Sequence, residues 1–205
     1  MNERSRGNQK IAEAAEAFHF DFRGKTVLDI GSSTGGFTEY ALDSGASLVV
    51  AVEKGTGQMK APLRFDHKVQ LHEKTDIFKV VSEVHKGDGR THARDGSYRG
   101  EVVVPTPDVI LADVSFISLR EVLEYAALWI ADASTEFLVM LKPQFEAEPS
   151  QLVNGVVKNE RMRRKIIRDF EDWLKKRGFV IMQKRDNSVS GKHGNIERFY
   201  LLSMV

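Results

Sequence analysis

The stretch from Val27 to Thr38 constrains the fold of this chain more than any other. It reads Val-Leu-Asp-Ile-Gly-Ser-Ser-Thr-Gly-Gly-Phe-Thr. A short apolar run, then small residues, then a helix-compatible segment is typical of a buried strand, a tight turn and the first turn of a helix. A Cβ at Gly31 would collide with a sharply reversing backbone or with a closely approaching ligand. The stretch therefore predicts an α/β fold with a binding site where this strand ends.

The spacing of Asp29, Gly31 and Gly35 is D-x-G-x-x-x-G, which differs from the G-x-G-x-x-G that usually holds a dinucleotide pyrophosphate. An acid at the end of the strand suits a cationic or hydroxyl-bearing ligand better than a phosphate. S-adenosylmethionine, with its amino acid, sulfonium and ribose, fits that description. The alternative is a strand-turn-helix of an α/β protein without this ligand. The candidate donor-binding residues in the turn are Asp29, Gly31, Ser32, Ser33, Thr34, Gly35, Gly36 and Phe37.

A second acid, Glu53, follows the apolar run 48–52. An acid at the end of the next strand, about 20 residues beyond a glycine turn, can accept hydrogen bonds from two ribose hydroxyls. The pattern indicates adenosine, either in a methyl donor or in a dinucleotide. Asp76 follows a third apolar run and could meet the adenine amino group. Its alternative role is the cap of a helix over residues 77–81.

Strand and helix patterns alternate along most of the chain, which favours a mostly parallel sheet with helices on both faces. The last two strands are separated by a turn-rich segment, so one antiparallel strand is expected near the C-terminus. Residues 83–101 predict a flexible, exposed insertion, and the spacing of its histidines matches no metal site. Strands are expected near 27–30, 48–52, 69–72, 108–112, 137–141, 179–184 and 198–204, and helices near 9–19, 36–44, 119–130 and 159–177.

Four charged residues stand at the ends of predicted parallel strands: Asp29, Glu53, Asp113 and Lys142. Ligands of open parallel sheets bind beyond the carboxyl ends of the strands, so these side chains should share one cleft. Glu197 opens the final strand and is expected at the lip of the same cleft. A structural ion pair is the alternative reading of Asp113 and Lys142.

Composition is that of an ordinary globular domain, with 41% hydrophobic and 29% charged residues over 205 positions. There is no cysteine, no signal peptide and no apolar run long enough for a membrane span, so we expect a soluble cytoplasmic protein. Charge is uneven, since residues 158–205 hold 13 Lys and Arg against 6 Asp and Glu. This basic C-terminal quarter suggests a polyanionic partner, and a solvated helix face is the alternative.

Five motifs in order make the chain similar to the TlyA family of FtsJ-like S-adenosylmethionine-dependent ribosomal RNA 2′-O-methyltransferases, which are often labelled haemolysins. The resemblance runs over nearly the whole chain from Ser5. The motifs are the glycine turn 29–38, Ala-Val-Glu-Lys-Gly-Thr-Gly-Gln at 51–58, Asp-Val-Ser-Phe-Ile-Ser-Leu at 113–119, Lys-Pro-Gln-Phe-Glu at 142–146 and Gly-Asn-Ile-Glu at 194–197.

The resemblance implies a Rossmann-like class I methyltransferase fold with a seven-stranded sheet. It also implies a catalytic tetrad, which here matches Lys10, Asp113, Lys142 and Glu197. Asp113 is expected to lie near the methyl donor as well, and the reaction is expected to need no metal. The segment around Lys10 resembles the family's Ser-Arg-Gly-Gly-x-Lys, with Asn8 in place of a glycine. The family usually begins with a small RNA-binding domain. This chain is expected to be one methyltransferase domain over 1–205 without it, with 1–25 as an entry segment and helix.

Three functions are compatible with these observations. The favoured one is methylation of the ribose 2′-hydroxyl of ribosomal RNA, with the RNA bound through the basic C-terminal quarter. The second is a methyltransferase of another substrate, or a protein that only binds S-adenosylmethionine. The third, a membrane-active haemolysin, is disfavoured because no long amphipathic helix exceeds what the core requires. The sequence leaves the oligomeric state open.

Overall fold

The computed structural model describes residues 5–86, 100–189 and 194–205. These residues form a large sheet flanked by helices and a separate pair of short strands. The strands are β1 Thr26–Ile30, β2 Leu48–Val52, β3 Val69–His72, β4 Val80–Ser82, β5 Val102–Val104, β6 Val109–Ala112, β7 Glu136–Leu141, β8 Phe179–Asp186 and β9 Arg198–Met204. The helices are α1 Arg6–Phe18, α2 Gly36–Asp43, α3 Leu119–Trp129, α4 Pro143–Glu146 and α5 Glu160–Lys176.

The large sheet has seven strands in the order β3-β2-β1-β6-β7-β9-β8. All neighbours are parallel except β9, which runs antiparallel to both β7 and β8. The central strands are continuous apolar runs because helices cover both of their faces. The predicted fold class is therefore confirmed, including the single antiparallel strand near the C-terminus.

Successive side chains of β1 enter two different cores, since side chains alternate across a sheet. Val27 packs with Ile11 and Phe37 of helices α1 and α2. Leu28 packs on the opposite face with residues of α3 and α5, among them Leu123 and Phe170. Asp29 follows Val27 by two positions, so its side chain lies on the same face of the sheet, the one covered by α1 and α2. The strand pattern thus decides which helices surround the acid.

Helix α1 begins earlier than the sequence pattern predicts. The side chain of Ser5 accepts a hydrogen bond from the backbone N–H of Asn8 and caps the helix, which starts at Arg6. A Cβ added to Gly7 would lie 3.5 Å from the Cα of Gly36, so α1 and α2 pack closely at this point. The helix expected near 9–19 therefore starts three residues earlier, because a serine cap and close packing against α2 order this part of the chain.

The helix expected over residues 77–81 is not formed. Asp76 caps only a short 3-10 turn, Ile77–Lys79, by accepting a hydrogen bond from the N–H of Phe78. The chain then continues into β4, which pairs in parallel with β5 as a separate two-stranded sheet. The β-branched residues of both strands favour this pairing over a helix. Of the predicted insertion 83–101, residues 87–99 lie outside the described residues, and so does His92.

Candidate active site

Two adjoining cavities open at the carboxyl edge of the large sheet. The first has a volume of about 590 Å³ and lies between the turn after β1, the end of β2 and the loop after β6; we call it the donor cavity, after the methyl donor that the sequence predicts there. The second has a volume of about 730 Å³ and lies between the same turn, the start of α1 and the end of β7; we call it the acceptor cavity, after the expected methyl acceptor. In the large sheet, β2 and β3 lie on one side of β1, whereas β6 and β7 lie on the other. The strand order therefore reverses between β1 and β6, and a crevice forms beyond the carboxyl ends of these two strands. The residues that line both cavities are Gly31, Ser33, Asp113, Ser115 and Phe116.

Glu53 is held rigidly in the donor cavity. Its two carboxylate oxygens accept hydrogen bonds from the backbone N–H groups of Ser33, at 2.9 Å, and of Gly55, at 2.6 Å. Each oxygen keeps a further lone pair for a ligand hydroxyl.

Gly31 has φ +78°, and an added Cβ would lie 3.1 Å from the carbonyl oxygen of Asp113. The tight turn therefore requires glycine, as the sequence predicted.

The remaining walls of the donor cavity are mostly apolar. Asp76 stands at the rim, where its carboxylate pairs with Lys54 at 2.9 Å. A cavity of this size, with a fixed carboxylate at one end and apolar walls, fits the adenosine of S-adenosylmethionine. The apolar lining consists of Ile30, Val52, Ile77, Phe78, Val114, Phe116, Ile117 and Val122.

Asp29 is completely buried and lines the acceptor cavity. Its Oδ2 accepts a hydrogen bond from the hydroxyl of Thr38 at 2.6 Å, and its Oδ1 makes no hydrogen bond within the described part of the chain. Burial raises the pKa of this carboxyl to about 7, and the nearby carboxylates of Asp113 and Glu53 act in the same direction. Asp29 is thus a buried acid that can gain stabilisation from a cationic ligand.

Lys142 and Asp113 meet at the boundary of the two cavities. They follow the ends of β7 and β6, which are neighbouring parallel strands. The Nζ of Lys142 lies 2.5 Å from the Oδ1 of Asp113 and donates a hydrogen bond to the Oγ of Ser115 at 2.9 Å. The same ammonium lies 5.9 Å from the ring centroid of Phe145. Lys142 is therefore fixed by three groups while it still lines the acceptor cavity.

Lys10 and Glu197 form a second charged pair in the acceptor cavity. Lys10 lies on α1 and Glu197 immediately precedes β9, so the pair joins positions 187 residues apart. The Nζ of Lys10 donates a hydrogen bond to Oε2 of Glu197, and the two residues are only 8% and 2% exposed. The structure thus brings all four residues of the expected tetrad to one cavity, as two lysine–carboxylate pairs.

The other predicted turn residues divide into two groups. Gly35 lines neither cavity: its φ is +91°, and an added Cβ would lie 2.4 Å from Cδ2 of Leu63. Gly35 therefore allows the backbone of the turn and its close packing against the loop after β2. The residues that do line the acceptor cavity are Ser32, Ser33, Thr34, Gly36 and Phe37.

The sequence pattern did not single out several residues that line the acceptor cavity. Phe116 is 91% exposed, has φ +66° and stands 5.2 Å from the ring of Phe145. It stands in the mixed segment Val-Ser-Phe-Ile-Ser at 114–118, so nothing local distinguishes it from a buried residue. Arg6 and Asn195 also line this cavity, and the Asn154–Gly155 dipeptide does so too. Asn-Gly is a recognisable hairpin signal, which could have marked that turn.

Much of the positive charge in the basic C-terminal quarter is compensated by ion pairs. Arg163, which belongs to this basic quarter, is buried and pairs with Asp186 at 2.8 Å. Other pairs are Arg164–Glu160, Lys165–Asp169, Lys184–Glu171 and Arg185–Glu13. On α5, the exposed basic residues that make no ion pair within the described ranges are Arg161, Arg168, Lys175 and Lys176.

The strand order, with β9 inserted antiparallel between β7 and β8, is that of the Rossmann-like methyltransferases. None of the described helices is long and apolar enough to cross a membrane. The model of the FtsJ-like methyltransferase family matches residues 3–204. The chain belongs to this family.

Individual relatives agree with this assignment and confirm the resemblance to TlyA. The Campylobacter jejuni protein named 23S rRNA (cytidine-2′-O)-methyltransferase TlyA is 32% identical over 198 residues, which cover 96% of this chain and 69% of the relative. The Mycobacterium tuberculosis protein named 16S/23S rRNA (cytidine-2′-O)-methyltransferase TlyA is 35% identical over 199 residues, covering 97% and 67%. A solved Streptococcus thermophilus structure that bears a hemolysin name has a TM-score of 0.83 and 31% identity, and covers 100% of this chain and 68% of its own.

Proposed function

We propose that this methyltransferase transfers the methyl group of S-adenosylmethionine to a ribose 2′-hydroxyl of ribosomal RNA. The observation that carries the proposal is the pair of lysine–carboxylate contacts, Lys142–Asp113 and Lys10–Glu197, in a cavity that adjoins the donor cavity. The substrate class is supported by the names of the C. jejuni and M. tuberculosis relatives, which specify ribosomal RNA and the 2′-oxygen.

In this proposal the donor cavity holds the adenosine, and the carboxylate of Glu53 accepts hydrogen bonds from its ribose hydroxyls. The backbone contacts of Glu53 with Ser33 and Gly55 fix that carboxylate before a ligand arrives, which reduces the entropic cost of binding. Asp29 and Asp113 face the cleft and favour the cationic part of the donor by electrostatic attraction. When bound, S-adenosylmethionine supplies an electrophilic methyl group.

A ribose hydroxyl is a weak nucleophile near neutral pH, so the protein must place it in line with the methyl group and help to remove its proton. Lys142 is the residue we assign to steering this hydroxyl and, in its neutral amine form, to accepting the proton that the hydroxyl loses as its oxygen attacks the methyl group. Asp113 orients Lys142 from one side and Ser115 from the other. The Lys10–Glu197 pair adds one charge of each sign, so the tetrad as a whole is neutral when all four groups are ionised.

We assign a supporting role in RNA binding to the exposed arginines in the first half of α5. Arg161 and Arg168 lie on the part of α5 that starts near the carboxyl edge of the sheet, where the acceptor cavity opens. They are exposed and make no ion pair within the described ranges, so their charges are available to phosphates. This assignment narrows the expected RNA contact from the whole basic quarter to a few residues.

Methyl transfer from tritiated S-adenosylmethionine to bacterial ribosomal subunits tests the proposal. The acceptors are small subunits, large subunits and intact ribosomes from a strain that lacks this class of methyltransferase, and the labelled nucleotide is mapped. We expect label on a ribose 2′-oxygen, incorporated at a far lower rate by the Lys142→Ala variant. Label on a base, or donor binding without label in any RNA, would support the alternative functions instead.

A further inference from the structure

Residues Val153 to Val156 form a small hairpin at the acceptor cavity. Val153 and Val156 exchange two backbone hydrogen bonds, of 2.9 and 3.1 Å. The two residues between them have positive φ, +52° at Asn154 and +75° at Gly155. Two consecutive residues with positive φ are typical of the type I′ turn that Asn-Gly favours. We call this element the 153–156 hairpin.

The 153–156 hairpin is fastened to the chain segment that carries Glu197. The Oδ1 of Asn195 accepts a hydrogen bond from the N–H of Val157 at 3.4 Å, and its Nδ2 donates one to the carbonyl of Gly155 at 3.2 Å. Asn195 is only 6% exposed and precedes Glu197 by two residues. The position of the hairpin is therefore coupled to the position of a tetrad residue.

The tip of the hairpin is open toward the acceptor cavity. Asn154 and Gly155 line this cavity together with Lys10, Lys142 and Glu197, and both are exposed. A Cβ added to Gly155 would meet no atom within 4 Å, so there is free space above the glycine. The carboxamide of Asn154 makes no hydrogen bond to any of the residues that the structure describes. Among the residues that the structure describes, the tip thus offers an unengaged donor and acceptor beside open space.

We propose that the 153–156 hairpin is a wall of the RNA-binding site and that Asn154 hydrogen-bonds the nucleotide whose ribose is methylated, or its immediate neighbour. This inference rests on the proposed function. A carboxamide can pair with the phosphate, sugar or base edge of a nucleotide, because it donates and accepts at once. Gly155 leaves room for the RNA backbone to approach. Asn195 is a positioning residue that holds the hairpin beside the tetrad.

The variant Asn154→Gly tests the contact without breaking the turn, since glycine adopts positive φ freely. Its KM is measured with large and small ribosomal subunits as acceptors, and its Kd for S-adenosylmethionine is measured by calorimetry. We expect the KM for the subunits to rise roughly five- to tenfold, as for the loss of one hydrogen bond, with kcat and the donor Kd within about twofold of wild type.

The variant Gly155→Asn tests the free space, because asparagine also tolerates positive φ but fills the volume above the turn. The matched control is Gly178→Asn, which lies between α5 and β8. Gly178 has φ +83° and no atom within 4 Å of an added Cβ, yet it stands at the opposite edge of the sheet. We expect Gly155→Asn to raise the KM for the subunits and Gly178→Asn to leave it unchanged.

Unchanged KM values in both hairpin variants would overturn the inference while wild-type activity on the subunits still supported the proposed function. If the wild-type protein labels no RNA, the proposed function fails first, and that outcome is visible before any variant is made.

The positioning role of Asn195 has its own readout. Asn195→Ala should raise the KM for the subunits like Asn154→Gly and should add nothing further in the Asn154→Gly background, because both act through the same contact.

Discussion

The carboxylate of Glu146 accepts a hydrogen bond from the backbone N–H of Leu119 at 2.7 Å, and so caps helix α3 from a segment that follows β7. It also accepts one from the hydroxyl of Ser118 at 2.8 Å. Glu146 lies four residues after Lys142, and Ser118 lies five residues after Asp113. One side chain therefore ties together the two loops that carry the Lys142–Asp113 pair.

We expect Glu146→Ala to lower the free energy of unfolding by about 1–3 kcal/mol, because the N–H of Leu119 would lose its partner at a helix start. It should also lower kcat more than it raises the KM for S-adenosylmethionine, since the loop carrying Asp113 would be less well fixed. Urea unfolding and steady-state kinetics measure these effects. Glu121→Ala, an exposed substitution in the first turn of α3, is the control: it should lower the free energy of unfolding by less than about 1 kcal/mol and leave kcat unchanged.

Lys142→Ala should reduce methyl transfer by a factor on the order of 10²–10⁴ while leaving donor affinity largely intact, because a group that acts on the nucleophile stabilises the transition state more than the ground state. Lys142→Arg separates two roles of the lysine. Arginine keeps the charge but does not give up its proton, so an inactive arginine variant indicates a base and an active one indicates electrostatic steering. Near-wild-type single-turnover rates in both variants would remove Lys142 from the mechanism.

Glu53→Ala should weaken S-adenosylmethionine binding by about 1.5–3 kcal/mol for each hydrogen bond lost to the charged group. Calorimetry measures the change, and Glu53→Gln should lie between alanine and wild type because it keeps a neutral acceptor. Loss of the contact with Ser33 adds to the alanine effect by loosening the turn. Binding of NAD but not of S-adenosylmethionine to the wild-type protein would show that the donor assignment is wrong.

Reversing Arg161 and Arg168 to Glu should weaken binding to ribosomal subunits and flatten its dependence on salt, because each lost phosphate contact removes roughly 0.7–0.9 from the slope of log K against log salt. The matched control reverses Lys175 and Lys176, which lie on the same helix near the other edge of the sheet. An equal effect of both double variants would indicate a general charge effect. Arg163→Glu should instead destabilise the fold, because Arg163 is buried against Asp186.

Asp29 should make stability depend on pH in a defined direction. An unfolded aspartate loses its proton near pH 4, whereas burial raises the pKa of folded Asp29 to about 7. The folded protein therefore binds one more proton between these values, and its stability falls as pH rises through this window. Asp29→Asn removes this contribution, so stability of wild type relative to the variant should fall by roughly 3 kcal/mol from pH 4 to pH 7. Parallel curves for the two proteins would contradict the raised pKa.

Local pattern was enough to predict the main sheet and one side of the cleft. Apolar runs of strand length, separated by helical periodicity, specify a parallel sheet, and the carboxyl ends of parallel strands meet at one edge. Asp29, Glu53, Asp113 and Lys142 could therefore be placed together from sequence position alone. The same reasoning failed after Asp76, where the sequence signal for a helix start was correct but only one 3-10 turn follows it.

The sequence by itself determined the order of the seven strands of the large sheet and of the four long helices, because periodicity and turn residues act within a few positions of one another. Only the tertiary structure decided which distant groups meet. It brought Lys10 to Glu197, left Phe116 exposed, buried Arg163 against Asp186 and fastened the 153–156 hairpin to Asn195. These outcomes depend on how α1, α5 and β9 pack against one sheet, and that packing is set by long-range burial and charge pairing.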